Sequence, residues 1–598
     1  MGLAPLFVKY QTNSRNSYVY DPCTSEILRV GTVVHKILDD YRVLSTEELT
    51  EKHHALAEAD VREALARLDA LQSKGILRDH LPELTARPES VCCGDKPESL
   101  RDLLQNRRRL LTLEVTHRCN LACDYCAYGD HYHQSRRHSE MSMSLETAKA
   151  AVAQFMAHKP TKTAIGFYGG EPLLEFELIE RIVLFAESIA ERDGGEVRFA
   201  LTTNGTLLND EKLHFLAKHN FSVLISLDGN REAHDRYRVF KNPHHPGQRR
   251  GTFDVVINNM ERFAELYPDY PGRGIALTLT ATSDVDKIEA FIKHWKPYFP
   301  TVIPNYVSSV SRRSRAGNGG DFFVVGQVHQ ESCVGGSLGG EFSCNQIQCS
   351  GRETITDSHL RDDQPSGVPD FDDWTAESLD RIQASRAQFK SELSRVEDES
   401  GVTALHKRFP INEYLFNSLV RSFHKRRIVS ERGEARRVSR LSCFPGATRT
   451  YCSAQGALFP CEKTEFRAFL RLGNVADDLD VDKAYDLTEL LRLHSDCANC
   501  VARESCSHCP AILRESQERP GFPDAVAFQR MCQGQAIHGR LLRILREYTD
   551  VMESNPDVLD LAYSEERGGE DDWLNRVKVL VAKLESEELG IEELAESV

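Results

Sequence analysis

No stretch of this 598-residue chain approaches eighteen consecutive apolar positions, which excludes a membrane-spanning helix. The start, Met1–Tyr10, lacks a basic segment followed by an apolar core, the pattern of a secretory signal. Positive charge is not in excess either. Lys and Arg number 74 against 90 Asp and Glu, and the net charge of −16 gathers toward the C-terminus. That balance argues against a nucleic-acid footprint. A cytoplasmic protein with no nucleic-acid and no membrane partner is therefore expected. Its seventeen cysteines, without a secretion signal, point to metal or redox chemistry and not to disulfides. Hydrophobic content of 40% and charged content of 27% are ordinary for a globular chain, and the length calls for three or four domains.

What is present is concentrated in Cys119-Asn120-Leu121-Ala122-Cys123-Asp124-Tyr125-Cys126, directly after the apolar run Leu110–Val115. The C-x3-C-x2-C spacing lets one short loop wrap three thiolates around one corner of a cube-shaped cluster. A 4Fe–4S cube has four irons and is held by Cys thiolates, so three ligands leave one iron open to a small chelating molecule. A structural zinc site is the competing reading, but it wants four ligands, commonly as two separated pairs. His117 precedes Cys119 by too little chain to close a tetrahedron comfortably.

From about 108 to 307, strand-like and helix-like segments alternate. The strands are Leu110–Val115, Ala164–Tyr168, Val197–Thr203, Ser222–Leu227, Ile275–Ala281 and Val302–Tyr306. Between them come helical patterns at Leu145–His158, Leu174–Ile189, Asp210–Lys218, Phe253–Leu266 and Val285–Trp295. This order predicts an α/β fold, a parallel sheet curled into a partial (β/α)6, TIM-like barrel. Chemistry in such barrels gathers at the C-terminal strand ends. Gly169-Gly170-Glu171-Pro172, Thr202-Thr203-Asn204-Gly205 and Ser226-Leu227-Asp228-Gly229 fall there, with His234–Arg238 shortly after. One such turn is ordinary; their succession behind a three-cysteine loop is not plausibly chance.

On Cys119, Cys123, Cys126, Tyr125, the Gly169–Pro172 motif and the later strand ends, the central segment resembles the radical S-adenosylmethionine enzymes. The resemblance implies a 4Fe–4S cluster on the three cysteines whose open iron chelates S-adenosylmethionine. One electron then yields methionine and a 5′-deoxyadenosyl radical that abstracts a substrate hydrogen. Carried over by position, Gly169, Gly170 and Glu171 receive the methionine amino group. Ser226 lies near the ribose, Arg238 pairs with the carboxylate, and Asn204 belongs to the same pocket. An electron donor such as flavodoxin or ferredoxin is implied as a partner.

Residues 1–85 read as three short strands (Leu6–Tyr10, Ser17–Tyr20, Glu26–Val30) followed by three helices. The helices are Val33–Tyr41, Thr46–His53 and one carrying Val61, Leu65, Leu68 and Leu71, with Gly75 as its cap. Ser45 and Glu48 form a capping box at the second. This winged-helix-like order resembles the leader-recognition element of ribosomally made peptide maturation systems, in which a leader peptide adds as a strand to the sheet edge. A DNA-binding winged helix is disfavoured, because Asp60, Glu63 and Asp69 balance Arg62, Arg67 and Lys74 on the third helix. Residues 86–107 read as linker.

An insert at 308–440 is rich in Ser, Arg and Gly before turning helical through Glu377–Val396 and Ile411–His424. Its cysteines, Cys333, Cys344 and Cys349, match no site, and a lid is one reading of so long a loop. Between 441 and 535 lie Cys443, Cys452, Cys461, Cys497, Cys500, Cys506, Cys509 and Cys532, enough for two four-ligand sites of zinc or iron. The pattern resembles the SPASM extension of radical-SAM peptide maturases, with a last gap of two residues where the family has three. That resemblance implies two auxiliary 4Fe–4S clusters. Cys443, Cys461 and Cys509 hold the first, completed by Cys452 if it points inward; Cys497, Cys500, Cys506 and Cys532 hold the second. Without Cys452 the first has an open iron where a substrate thiolate could bind. Glu462 stands where relatives place an acid near the substrate, as a proton acceptor. Residues 536–598 form an acidic helical tail, Leu541–Met552 and Trp573–Leu584 being its helices.

The expected protein is a radical SAM enzyme with a SPASM domain that modifies a ribosomally synthesised peptide or small protein. Tyr128, Tyr132, Arg136–His138, the phrase Gly166–Gly170 and Cys443–Gly446 look most like the thioether-forming maturases. Carbon–carbon or carbon–oxygen cross-linking, or an oxidation of the sulfatase-maturation type, is the alternative within enzymes. A non-catalytic iron–sulfur protein for peptide binding or electron transfer is the alternative outside them, and it has no use for an open iron.

Overall fold

The computed structural model describes residues 5–80, 91–92, 97–98, 104, 108, 110–126, 128, 137–157, 162–241, 249–280 and 283–306. It also describes 326–327, 387–393, 395–396, 405, 445–447, 449–465, 467–492, 500–502, 510, 513, 515–524 and 535–556. Outside these lie Cys333, Cys344, Cys349, Cys443, Cys497, Cys506, Cys509 and Cys532, together with the helices expected at Ile411–His424 and Trp573–Leu584.

Near the N-terminus, β1 (Val8–Gln11), β2 (Ser17–Asp21) and β3 (Glu26–Val30) form an antiparallel sheet in that order. Then come α1 (Thr32–Ile37), α2 (Thr46–Lys52) and α3 (Glu58–Ser73). The capping box forms as the sequence predicts: Ser45 Oγ accepts from the Glu48 amide while Glu48 Oε2 accepts from the Ser45 amide. The first helix stops four residues short of Tyr41, which instead closes a turn and buries its ring against α3. Val91–Cys92 pairs with Pro97–Glu98 as a small antiparallel ribbon inside the stretch expected to be linker.

The large sheet is built as the alternation predicts. Strands β4 (Leu110–Thr116), β5 (Lys162–Gly169), β6 (Glu196–Thr203), β7 (Phe221–Ser226), β8 (Arg273–Leu279) and β9 (Thr301–Tyr306) run parallel, each hydrogen-bonded to the next. Between them pass α4 (Leu145–Met156), α5 (Phe176–Asp193), α6 (Asp210–Lys218), α7 (Arg231–Tyr237), α8 (Phe253–Leu266) and α9 (Val285–Trp295). Such strands are near-continuous apolar runs because both faces are covered. Phe167, Phe199 and Phe221 stack on neighbouring strands with centroids 5.3–6.4 Å apart, and Phe221 meets Phe215 of α6 at 6.3 Å. On the helical layer, Leu178, Ile179, Ile182, Val183, Ala186, Ile189 and Ala190 of α5 form the buried stripe, and Gly194 ends the helix at φ 70°. The six parallel strands and their crossover helices are the α/β arrangement expected from the sequence.

The sheet continues on both sides, and the strand expected at Tyr451-Cys452-Ser453 ahead of the Gly456 turn is part of it, at Thr450–Cys452. Beyond β9 lies β10 (Gly326–Gln327); beyond β4 lie β11 (Thr450–Cys452), β12 (Ala457–Phe459), β13 (Gly473–Asn474) and β14 (Asp478–Leu479). β11 runs parallel to β4, so the cysteine-rich region enters directly beside the strand that leads into the cysteine loop. Packed beyond are α10 (Val481–Arg492) and, against the N-terminal sheet, α11 (Gln535–Ser554).

Candidate active site at the strand ends

The cysteine loop leaves β4 and is laced on both sides by backbone hydrogen bonds. Gly170 and Glu171 donate amides to the carbonyls of Thr116 and Arg118, each at 2.8 Å. On the other side, Ala122 and Lys241 donate to the carbonyls of Val239 and Asn120, both at 2.9 Å, and Asp124 to that of Tyr237 at 3.3 Å. The glycines expected to admit a ligand first admit this loop. A Cβ on Gly169, at φ 136°, would stand 2.1 Å from the Thr116 carbonyl oxygen, and one on Gly170 would stand 2.0 Å from that of Arg118.

Glu171 is buried and fully engaged. Its Oε1 accepts from the Leu173 amide (3.1 Å) and Thr203 Oγ1 (2.7 Å), and its Oε2 from the Asn204 amide (2.7 Å). Burial nonetheless pushes its pKa up. Asn204 reaches back through Nδ2 to Asn120 Oδ1 at 2.8 Å, and Asn120 Nδ2 donates to Thr206 Oγ1 at 2.9 Å. Two adjacent strand ends thus grip the cysteine loop through side chains. Asn120 and Thr203 stand inside motifs the sequence marks, but their part in this grip depends on partners more than 30 positions away and was not assigned from the sequence.

On the other flank, Asp228, just past β7, collects three donors. Tyr125 donates its hydroxyl to Oδ2, Arg238 donates Nε to the same oxygen at 2.9 Å, and the Thr278 amide donates to Oδ1 at 3.1 Å. The Arg238 guanidinium sits 5.4 Å over the Tyr125 ring, and Tyr125 packs on Tyr237 with centroids 5.9 Å apart. Burial drives the Tyr125 pKa up, and Asp228 holds Arg238 protonated despite its burial. Ser226, the last residue of β7, is half-buried at the same end. Behind this group, the Asp228 amide donates to His234 Nδ1 at 3.3 Å, and His234 Nε2 meets Thr252 Oγ1 at 2.9 Å. That places the His234 proton on Nε2, and burial lowers its pKa to about 4.

The three thiols gather between these flanks, each half-exposed, whereas Cys23 and Cys452 are buried. Burial and the neighbouring Glu171 carboxylate push Cys119 up to about 12, and burial drives Cys123 higher still, against the pull of Arg238. Three neighbouring thiols, with Cys119 and Cys123 kept protonated by burial, fit a cationic group that would hold them as thiolates. A 4Fe–4S cluster suits that donor set.

In the C-terminal segment, Cys452 lies on β11 in register with Leu113 and is buried in the apolar core, where burial and Glu114 push its thiol up to about 12. Cys461 is half-buried, its carbonyl accepting from the amide (3.1 Å) and hydroxyl (2.8 Å) of Thr464. Cys500 is half-buried against the cluster formed with α11. Both oxygens of Glu462 accept from Arg449 Nη1, at 3.2 and 2.9 Å.

Residues 113–292 match the family described as the Radical SAM superfamily. A cysteine-type anaerobic sulfatase-maturating enzyme of Clostridium novyi (strain NT) is 28% identical over 196 residues, 33% of this chain and 50% of that protein. An uncharacterized protein of Methanocaldococcus jannaschii is 36% identical over 132 residues, 22% of this chain and 42% of that protein. Among solved structures, "Native anSMEcpe with bound AdoMet and Cp18Cys peptide" is 17% identical with a TM-score of 0.46, over 76% of this chain and 99% of that one. The chain spans half or less of the length of these two curated relatives. It carries a Radical SAM domain with homology to the anaerobic sulfatase-maturating enzymes. That superfamily implies a 4Fe–4S cluster and S-adenosylmethionine, and the thiol pocket between the two clamps accommodates the first.

Proposed function

We propose that this protein is a radical SAM enzyme that modifies a ribosomally synthesised peptide or small protein, forming a thioether between a Cys sulfur and a carbon. The observation that carries the reading is the site itself: Cys119, Cys123 and Cys126 at the sheet's C-terminal mouth, gripped by Glu171–Asn204 on one flank and Asp228–Arg238 on the other. When bound, the cluster and S-adenosylmethionine supply a 5′-deoxyadenosyl radical that abstracts a substrate hydrogen. Gly169, Gly170 and Glu171 border the place for the methionine amino group, Ser226 and Asn204 belong to the same rim, and Arg238 offers a fixed cation near the carboxylate. The N-terminal sheet would take a leader peptide as an added strand, and Glu462 would accept a proton near the substrate. Two auxiliary 4Fe–4S clusters on the C-terminal cysteines would take the surplus electron, with Cys452 the least suited of the eight because it faces the apolar core.

Anaerobic reconstitution with reductant and S-adenosylmethionine should release 5′-deoxyadenosine; its absence leaves a non-catalytic binding protein. Co-expression with a short neighbouring reading frame, followed by mass spectrometry, should show loss of two hydrogens and a thiol that no longer alkylates. A modified product with a free thiol overturns thioether formation. A second reading, peptide oxidation of the sulfatase-maturation type, is favoured by the homology to a cysteine-type anaerobic sulfatase-maturating enzyme.

A further inference from the structure

Glu114 is an anomaly of sequence and of burial. It interrupts the apolar run that becomes β4, and its side chain is fully buried between the barrel and the C-terminal hairpin. A carboxylate enters such a place only with compensation. Part of it comes from the Ala454 amide, which donates to Oε2 at 3.1 Å across the junction with β11.

The rest is assembled around it. His117, 6% exposed, points Nε2 at the same carboxylate, 3.2 Å from Oε2. At that distance Nε2 nevertheless has no hydrogen-bond partner. The other ring nitrogen, Nδ1, is engaged with Ser139 Oγ at 3.0 Å. With the proton on Nδ1, Nε2 is a bare lone pair facing a carboxylate oxygen, an arrangement that repels unless a cation joins them. Glu465, half-buried in the segment after Cys461, completes the group: one donor atom from each of the three residues lies within 4.8 Å of the others.

We propose that Glu114, His117 and Glu465 form a binding site for a first-row divalent cation, joining the strand that feeds the cysteine loop to the C-terminal segment. Two carboxylates and an imidazole, without a thiolate, suit ions such as Mn2+, Fe2+ or Zn2+. Bonds of about 2.1 Å place donors roughly 3–4 Å apart, so atoms within 4.8 Å of one another need to close by at most about 2 Å. Each ligand already has the outer partner that orients a metal ligand: Ser139 for His117, the Ala454 amide for Glu114, and the Tyr451 hydroxyl, 3.3 Å from Oε2, for Glu465. The cation would neutralise one buried and one half-buried negative charge and tie a point two residues before Cys119 to one four residues after Cys461.

The test is a Mn2+ titration of the full-length, cluster-loaded protein held oxidised, followed by loss of the free-ion electron paramagnetic resonance signal. Mn2+ is chosen because it shuns thiolates. One stoichiometric site is expected in the wild type, weakened at least tenfold by Glu465→Gln, with equal thermal midpoints for the two proteins in chelator. Electron spin-echo modulation from an imidazole nitrogen on the bound Mn2+ is the second readout, and it requires no variant. Absence of a stoichiometric site, unchanged binding in E465Q, or bound Mn2+ without nitrogen coupling would overturn the proposal.

Discussion

Arg238 and Asp228 form a buried ion pair, Nε to Oδ2 at 2.9 Å, ten residues apart across the turn that carries α7. The aspartate is shared. It also takes the Tyr125 hydroxyl from the cysteine loop and the Thr278 amide from β8, so one carboxylate fixes three separate elements. Breaking a buried pair from one side costs more than the pair contributes, because the surviving charge stays buried. Asp228→Asn keeps the shape and removes the charge, leaving Arg238 uncompensated. A loss of about 3–5 kcal/mol is expected in denaturant unfolding. Arg238→Met with Asp228→Asn should recover part of that loss, and a double variant as unstable as D228N would refute the account.

Gly170→Ala tests the contact between the glycine turn and the cysteine loop. The new Cβ would meet the Arg118 carbonyl oxygen at 2.0 Å, a backbone atom that cannot rotate away. The loop must shift, and the three thiols move with it. Iron content after anaerobic reconstitution should fall well below that of the wild type while far-ultraviolet dichroism is unchanged. The same change at Gly194, where a Cβ meets nothing within 4 Å, should leave iron content untouched.

The alternation of apolar runs and amphipathic segments from 110 to 306 made the six parallel strands legible, because strands covered on both faces are near-continuous hydrophobic sequence. The cysteine spacing and the strand-end turns were legible for the same reason: each is a local pattern. The partners were not. Tyr125 and Asp228 are 103 positions apart, Asn120 and Asn204 84, and Glu114 and Ala454 340. No periodicity within a window of residues carries such pairings. The strand at Thr450–Cys452 was legible by itself, but its place beside β4, more than 300 positions earlier, was not, since no local pattern names a partner strand.

His234 gives the fold a predictable acid limb. It is buried, neutral, and holds the Asp228 amide on Nδ1 and Thr252 on Nε2. Its pKa falls from 6.5 to about 4 on folding. Between those values the unfolded chain binds the proton and the folded chain does not, so stability rises with pH across the window. The contribution is fully present above pH 6.5 and is lost progressively as pH falls toward 4, amounting to about 3 kcal/mol at one unit of pKa per 1.4 kcal/mol. His234→Gln should be less stable at pH 7.5 but flatter between pH 6.5 and 4. A variant with the wild-type slope would assign that limb to other groups.

The last prediction concerns how the N-terminal domain is held. Glu553, near the end of α11, accepts through Oε1 from Thr12 Oγ1 at 3.0 Å, and from Asn16 Nδ2 and Tyr18 Oη at 2.8 Å each. Close by, Asp550 receives the amide and side chain of Asn13 at 2.9 and 2.8 Å, and Tyr10 meets Thr549 at 2.7 Å. Around them Tyr10, Tyr18 and Tyr20 pack on Leu541, Ile544, Leu545 and Tyr548. The apolar contact supplies most of the attachment, and the carboxylate sets its register, since one oxygen is aimed at three donors on the β1–β2 hairpin. Glu553→Ala strands those donors at a partly buried seam, at a cost of about 1–3 kcal/mol. Hydrogen exchange should quicken in β1, β2 and α11 together and leave β4–β9 unchanged. Glu187→Ala, whose carboxylate pairs with His219 and not with the N-terminal sheet, should leave that exchange as in the wild type. Faster exchange confined to α11 would mean that the helix and the N-terminal sheet are not one cooperative unit.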